Sequence, residues 1–177
     1  MDDSESILVP HDRIGAIIGK KGETKRDIEA RTDTKIIVDS REGEVEIVRK
    51  GEPIKYLRAT RVVKALGRGF SPEHAFRLLN DDCMLEIIEL QEVLGKNQSR
   101  LKAKKGRVIG EHGRARAEIE RDTGASISVY GKTIGIIGTE EEMERARHAV
   151  EMLIGGASHT TVYSMLRKGE PSRKFEL

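Results

Sequence analysis

The sequence predicts an α+β chain built from two copies of one small unit, and three observations carry that reading. An apolar-Gly-x-x-Gly stretch occurs twice, as Ile17-Ile18-Gly19-Lys20-Lys21-Gly22 and as Val108-Ile109-Gly110-Glu111-His112-Gly113. The register then holds further along: Ile28 aligns with Ile119, Glu29 with Glu120, Thr32 with Thr123, Ile36 with Ile127 and Val38 with Val129. Two unrelated glycine turns would not share a spacing through a helix and the strand after it. Each glycine stretch is followed by a helical segment, two β-branched runs around a turn, and a long amphipathic helix. Each copy is about 75–80 residues long, a plausible small domain. The expected domains are 1–80 and 81–177.

In the first unit, Ser6 to Val9 reads as a short strand stopped by Pro10. Arg13 to Ile18 is an apolar-faced helix or turn that runs into the glycine loop. Gly19 and Gly22 permit backbone angles that other residues resist. Glu23 to Arg31 follows as a helix, with Glu23 and Asp27 early, where the helix dipole favours acids. Its first amides lack intrahelical partners, so an anion sits well there. Lys35 to Asp39 and Glu44 to Val48 form a hairpin around Arg41-Glu42-Gly43. Pro53 opens a helix whose face is Leu57, Val62, Val63 and Leu66, ended by Gly67 and Gly69. Ser71 and Pro72 start a short connecting helix, with Ala75, Phe76, Leu78 and Leu79 inward, expected to pack the two units together.

The second unit opens with Met84 to Leu90 as a strand and Lys96 to Lys105 as a basic helix. The second glycine loop and a helix from Arg114 to Asp122 follow, ended at Thr123-Gly124. Ser126 to Tyr130 and Thr133 to Ile137 form a hairpin around Gly131-Lys132. Thr139 caps the last long helix, with Glu142 completing a capping box and Met143, Ala146, Val150 and Leu153 facing inward. Thr160 to Leu166 is a short helix, and Gly169 to Leu177 reads as a frayed tail.

Composition narrows the function. The chain is 37% hydrophobic and 35% charged, yet its net charge is only +2, so any basic surface is local. The single cysteine, Cys83, excludes an internal disulfide framework and a cysteine zinc cluster; it reads as a buried small hydrophobe. The five histidines offer no i, i+3 or i, i+4 pair for a metal on a helix, and Glu140-Glu141-Glu142 reads as helix-start chemistry. No metal or cofactor is expected. No apolar run approaches the ~20 residues of a membrane span and no signal peptide is seen. The expectation is a cytoplasmic monomer. Three Tyr, three Phe and no Trp argue against a reader that stacks bases on aromatic platforms. Tyr130 is expected to pack beside its hairpin.

Both units resemble the K-homology (KH) pattern of the eukaryotic type (type I). That resemblance implies two tandem KH domains, each a three-stranded antiparallel sheet packed against three helices. It also implies that each loop clamps the backbone of single-stranded nucleic acid while the bases lie in an adjoining groove. The residues carried over are Ile18, Gly19, Lys20, Lys21, Gly22 and Ile36 in the first unit, and Ile109, Gly110, Glu111, His112, Gly113 and Ile127 in the second. His112 either contacts phosphate or is simply exposed loop. A basic stripe from Lys96 through Lys104, Lys105 and Arg107 either feeds the second loop or is a solvated helix face. The chain departs from the KH pattern three residues past the second glycine, where the usual apolar residue is Lys25 or Arg116. That cation either adds a phosphate contact or changes the groove floor. The Glu111 carboxylate, surrounded by Arg114, Arg116 and Lys104 to Arg107, makes the first loop the better electrostatic clamp.

Ile18-Gly19-Lys20-Lys21-Gly22-Glu23-Thr24-Lys25, Gly67-Arg68-Gly69-Phe70, and Gly110 to Gly113 with Ser128 to Thr133 resemble one narrower family. This is the archaeal two-KH-domain ribosomal RNA-processing proteins, relatives of the eukaryotic small-subunit assembly factor called "partner of Nob one". The resemblance implies binding to the 3′ region of small-subunit ribosomal RNA. It implies partners such as a processing nuclease, a methyltransferase or a translation initiation factor. Two other readings stand beside it: a general single-strand RNA or DNA binder or translational regulator, and a protein-interaction scaffold with one inactive KH unit. The loop is not a Walker loop, since no Gly-Lys-Ser/Thr follows at the required spacing, and no nucleophile–base pair stands out, so no enzyme is expected.

Overall fold

The computed structural model describes residues 3–169; the expected fraying of the tail falls, from residue 170 on, outside the described residues. Contacts divide the chain into two units, Met1–Leu85 and Glu86–Leu177. The fold is α+β with two three-stranded sheets, as the sequence predicts.

The first unit runs β1 (Ser4–Leu8), α1 (His11–Ile18), a single tight turn at Lys20–Gly22, α2 (Glu23–Thr32), β2 (Thr34–Asp39), β3 (Glu44–Arg49) and α3 (Pro53–Gly67). Its sheet has the order β1-β3-β2, antiparallel throughout, which leaves β2 as an edge strand. The hairpin is shaped by Asp39, whose Oδ1 accepts the backbone amides of Arg41 and Glu42 at 2.9 and 3.2 Å. One sheet face is apolar: Ile36, Val45 and Ile47 are buried, the sheet packs on α2 and α3, and the helices α1–α3 bury Ile14, Ile17, Ile28, Val62 and Leu66. β1 begins two residues earlier than Ser6, because Ser4 to Leu8 pair in register with Val48 to Glu44. Composition alone does not reveal that pairing. The short helix α4 (Pro72–Ala75) and the turn Phe76–Leu79 pack on α3, burying Ala75 and Leu78 and leaving Phe76 and Leu79 half-buried. The Arg31 guanidinium lies 5.1 Å from the centre of the Phe76 ring.

The second unit repeats the order with additions: β4 (Met84–Glu89), α5 (Leu90–Leu94), α6 (Gln98–Ile109), the turn Glu111–Gly113, α7 (Arg114–Thr123), β5 (Ser126–Tyr130), β6 (Thr133–Gly138), α8 (Glu140–Ile154) and α9 (His159–Lys168). Its sheet order is β4-β6-β5, so β5 takes the edge position of β2. Two boundaries differ in kind from expectation, and α9 is longer at both ends than Thr160 to Leu166. Leu90–Leu94 is a separate short helix, with Leu90 and Leu94 buried. The basic helix starts later and ends later than Lys96–Lys105: Asn97 caps it by accepting from Arg100 N–H at 3.1 Å, and it runs to Ile109. The capping box at Thr139 and Glu142 forms as read from the sequence. Cys83 is buried. α9 buries Val162 and Leu166 against α7 and α8.

One interaction recurs that the repeat alignment does not show. Arg13 on α1 donates from Nε to Leu66 O (2.8 Å) and from Nη2 to Phe70 O (2.7 Å), at the end of α3. Arg107 on α6 donates from Nε to Leu153 O (2.9 Å) and from Nη2 to Ala157 O, at the end of α8. The last carbonyls of a helix have no intrahelical donor and carry its negative end. A forked cation there ties the helix before the glycine loop to the helix after the sheet. Arg107→Ala removes both bonds, leaving Leu153 O to the backbone amide of Gly156 and taking the arginine donor from Ala157 O. The expected loss of stability is about 2 kcal/mol, read from urea unfolding, while exposed Arg114→Ala stays within about 0.5 kcal/mol.

Candidate nucleic-acid interface

The two glycine loops have the same backbone. Gly19 has φ/ψ of 73°/175° and Gly110 has 75°/174°. The third loop residue is left-handed in both, Lys21 at 53°/27° and His112 at 52°/29°, and so are Gly22 and Gly113 at 77°/15° and 74°/12°. The conformation of Gly19 and Gly110 is one that glycine alone tolerates. A Cβ on Gly19 would stand 2.3 Å from Thr24 Oγ1, and one on Gly110 2.6 Å from the Ala115 amide nitrogen. The first turn of α2 or α7 therefore lies directly against the loop. Neither helix has a side-chain cap at Gly22 or Gly113. Its leading amides and the positive end of its dipole face the loop.

Side-chain chemistry then separates the copies. In the first loop Lys20 and Lys21 are exposed. Arg26, which the sequence reading overlooks, donates from Nη1 to Lys21 O at 2.7 Å and braces the left-handed residue. Its counterpart in the repeat is Ala117, so the second loop has no such brace from that position. In the second loop Glu111 and His112 are about nine-tenths exposed, with 3.8 Å between Oε1 and Nε2. An exposed pair of that kind contributes little to stability. The first loop thus concentrates positive charge at the helix start, whereas the second sets a carboxylate beside it.

Of the apolar residues assigned to the groove, Ile18 and Ile109 are half-buried next to their loops, and Ile36 and Ile127 are buried in the edge strands. Gly15 and Gly106, at matching positions within α1 and α6, have open space where a Cβ would stand. Glycine inside a helix costs about 1 kcal/mol relative to alanine, so the bare patch in both copies marks a surface kept clear. The remaining cations are placed differently from one another. Lys104 and Lys105 are half-buried on α6, and Arg107 is committed to the α8 carbonyls. Arg114 is exposed and lies within electrostatic reach of α9. Burial pushes the Tyr163 phenol up, Glu118 adds to this, and Arg114 and Arg167 oppose it. Lys25 and Arg116 take different partners. Lys25 Nζ stands 3.4 Å from Glu29 Oε1, and Arg116 Nη1 donates to Ile127 O at 3.4 Å. Glu29 and Glu120 each accept a strand amide, a role that their matching register hints at without revealing.

Among the described residues no three His, Cys, Asp or Glu side chains converge as metal ligands. No helix of the described residues is long and apolar enough to cross a membrane.

Comparison with known proteins agrees with this geometry. The model of the KH domain matches residues 4–65, and that of the eukaryotic type KH-domain (KH-domain type I) matches residues 84–171. The KH domain-containing protein MJ0443 of Methanocaldococcus jannaschii is 41% identical over 98% of this chain and 78% of its own length. The pre-rRNA-processing protein pno1 of Emericella nidulans is 34% identical over 60% of this chain; that match spans 42% of the fungal protein. The a/eIF2alpha-aDim2p-rRNA complex from Pyrococcus horikoshii contains a chain that superposes with a TM-score of 0.87 at 46% identity, covering 94% of this chain and 93% of that one.

The loop geometry orders three alanine substitutions. Gly113→Ala meets open space and suffers only the left-handed backbone, about 1–2 kcal/mol. Gly19→Ala and Gly110→Ala add a backbone clash and are expected to lose more than about 2 kcal/mol. Thermal unfolding of the three variants checks the order.

Proposed function

We infer the function from one premise: this chain belongs to the two-KH-domain family that includes archaeal Dim2p and the pre-rRNA-processing pno1 proteins. It is a single-stranded RNA-binding ribosome assembly factor that holds the 3′ region of small-subunit ribosomal RNA during maturation. The observation that carries this is the pair of Gly-x-x-Gly loops with the same backbone, each abutting an uncapped helix start beside a half-buried isoleucine and a bare helix patch. Such a site grips a polymer backbone rather than a nucleotide cofactor, because it is built twice in one chain and is followed by an open strand edge.

In this reading Gly19 to Gly22 and Gly110 to Gly113 hold sugar-phosphate, with Lys20 and Lys21 supplying the stronger charge. Ile18 and Ile109 pack against bases, over buried Ile36 and Ile127. Lys104, Lys105, Arg114 and Arg116 add positive charge around the second loop. The chain acts as a monomer and performs no catalysis; it presents the strand to a nuclease, a methyltransferase or an initiation factor. The Pyrococcus complex that combines Dim2p with rRNA and a/eIF2alpha supports partners of the last kind. Glu111 and His112 favour a second reading, in which the second unit has turned from RNA to protein contacts.

Replacing Lys20 and Lys21 by Asp is expected to lower affinity for a ribosomal 3′-end RNA oligomer more than tenfold. The same replacement at Glu111 and His112 should do less. With Ala in place of both lysines, the slope of log affinity against log salt should flatten by about 0.7 per lost phosphate contact. Equal affinity of the wild type for the ribosomal oligomer, a scrambled RNA and the matching DNA would instead mark a general single-strand binder.

A further inference from the structure

The edge strands hold a feature that the phosphate clamp does not explain. Glu29 Oε1 accepts the Ile36 backbone N–H at 2.8 Å, and Glu120 Oε1 accepts the Ile127 N–H at the same distance. β2 pairs with β3 on one side only, and the Ile36 N–H faces the other, open side. In an antiparallel strand the N–H and C=O of one residue point the same way. The Ile36 carbonyl therefore also faces outward. Both contacts to Glu29 fall on Oε1, from Ile36 N–H and from Lys25 Nζ at 3.4 Å, so Oε2 is without a partner among the described residues. Glu29 remains 21% exposed, enough for a ligand atom to reach it. The only strand donor at this point is consumed, and what it offers a base is two acceptors.

We propose that Glu29 is a specificity-determining residue that makes the first unit select guanine. The proposal rests on the reading of the loops as an RNA clamp. Guanine is the one standard base whose Watson–Crick edge carries two adjacent donors, N1–H and the N2 amine. Adenine and cytosine pair one donor with a neighbouring acceptor, and uracil has one donor between two acceptors. A carboxylate oxygen beside a carbonyl therefore accepts two hydrogen bonds from guanine, one of them charge-assisted. The second unit serves as an internal contrast. There the cation at the matching position, Arg116, donates to the Ile127 carbonyl at 3.4 Å rather than leaning on the glutamate. The β5 edge thus presents an acceptor beside a donor, and its preference differs from that of β2.

The test is selection of the full-length chain on a pool of random ten-nucleotide single-stranded RNAs, followed by titration. Wild type is expected to enrich guanine at one position, and inosine there, which lacks the N2 amine, weakens binding about tenfold. In Glu29→Gln the amide oxygen still accepts the Ile36 N–H, but an NH2 donor replaces the outward oxygen. Guanine enrichment then disappears, while Glu120→Gln keeps it. Retention of RNA without guanine enrichment by wild type, unchanged affinity with inosine, or equal enrichment in wild type and Glu29→Gln each overturns the proposal and leaves the RNA-binding reading standing. A wild-type chain that retains no RNA overturns both. The inosine comparison uses wild type alone, so it decides the matter even where a variant misfolds.

Discussion

A side chain at Gly19 or Gly110 has nowhere to go, and that prohibition organises each unit. The backbone there lies in a region closed to other residues, and a Cβ would strike the residue at the start of the next helix. Because the chain turns so sharply, α1 ends and α2 begins within a few residues, and the uncapped start of α2 meets the loop at close range. The strained third residue, Lys21 or His112, is part of the same turn, and its left-handed angle is maintained by the fixed glycines on either side.

The two copies share the loop backbone and differ in its chemistry. The paired angles of the two loops differ by only a few degrees, so no conformational difference accounts for Lys20-Lys21 in one and Glu111-His112 in the other. Likewise the two edge glutamates accept their strand amides at equal distance, yet the neighbouring cation settles on the carboxylate in one copy and on the carbonyl in the other. The two units therefore do not present equal chemistry. One unit is suited to charge at the loop and acceptors at the strand edge. The other carries mixed charge at the loop, and its edge cation lies on the strand carbonyl rather than on the glutamate.

Much of this was legible in the residues. The glycine spacing, the β-branched runs and the Thr139–Glu142 box each report a local preference, and local preferences give element order reliably. What failed was local in another sense. β1 is placed by its pairing with β3, and α6 by a cap at Asn97 rather than by its run of basic residues. The groove cations show the same limit. Lys25, Arg107 and Arg116 are equally cationic in the sequence, but one leans on a glutamate, one holds a helix end and one reaches a strand carbonyl. A long flexible side chain takes its role from what folding brings within its reach, and nothing in its own neighbourhood of sequence states that.

The two helix-end arginines make the point most sharply. By the repeat register, Arg13 corresponds to Lys104 and Arg107 to Ala16, so the alignment of the copies treats them as unrelated. Nevertheless each guanidinium reaches two carbonyls four residues apart at the end of the long helix that follows the sheet. What the two sites share is the negative end of the helix dipole: Leu66 O and Leu153 O already accept the amides of Gly69 and Gly156, and the guanidinium adds a charged donor there. Positions one helical turn apart on the facing helix reach it equally well, since residues three or four apart share a face. The helix leading into each loop is thus held by an equivalent bond in both copies, even though the residues that make it do not align.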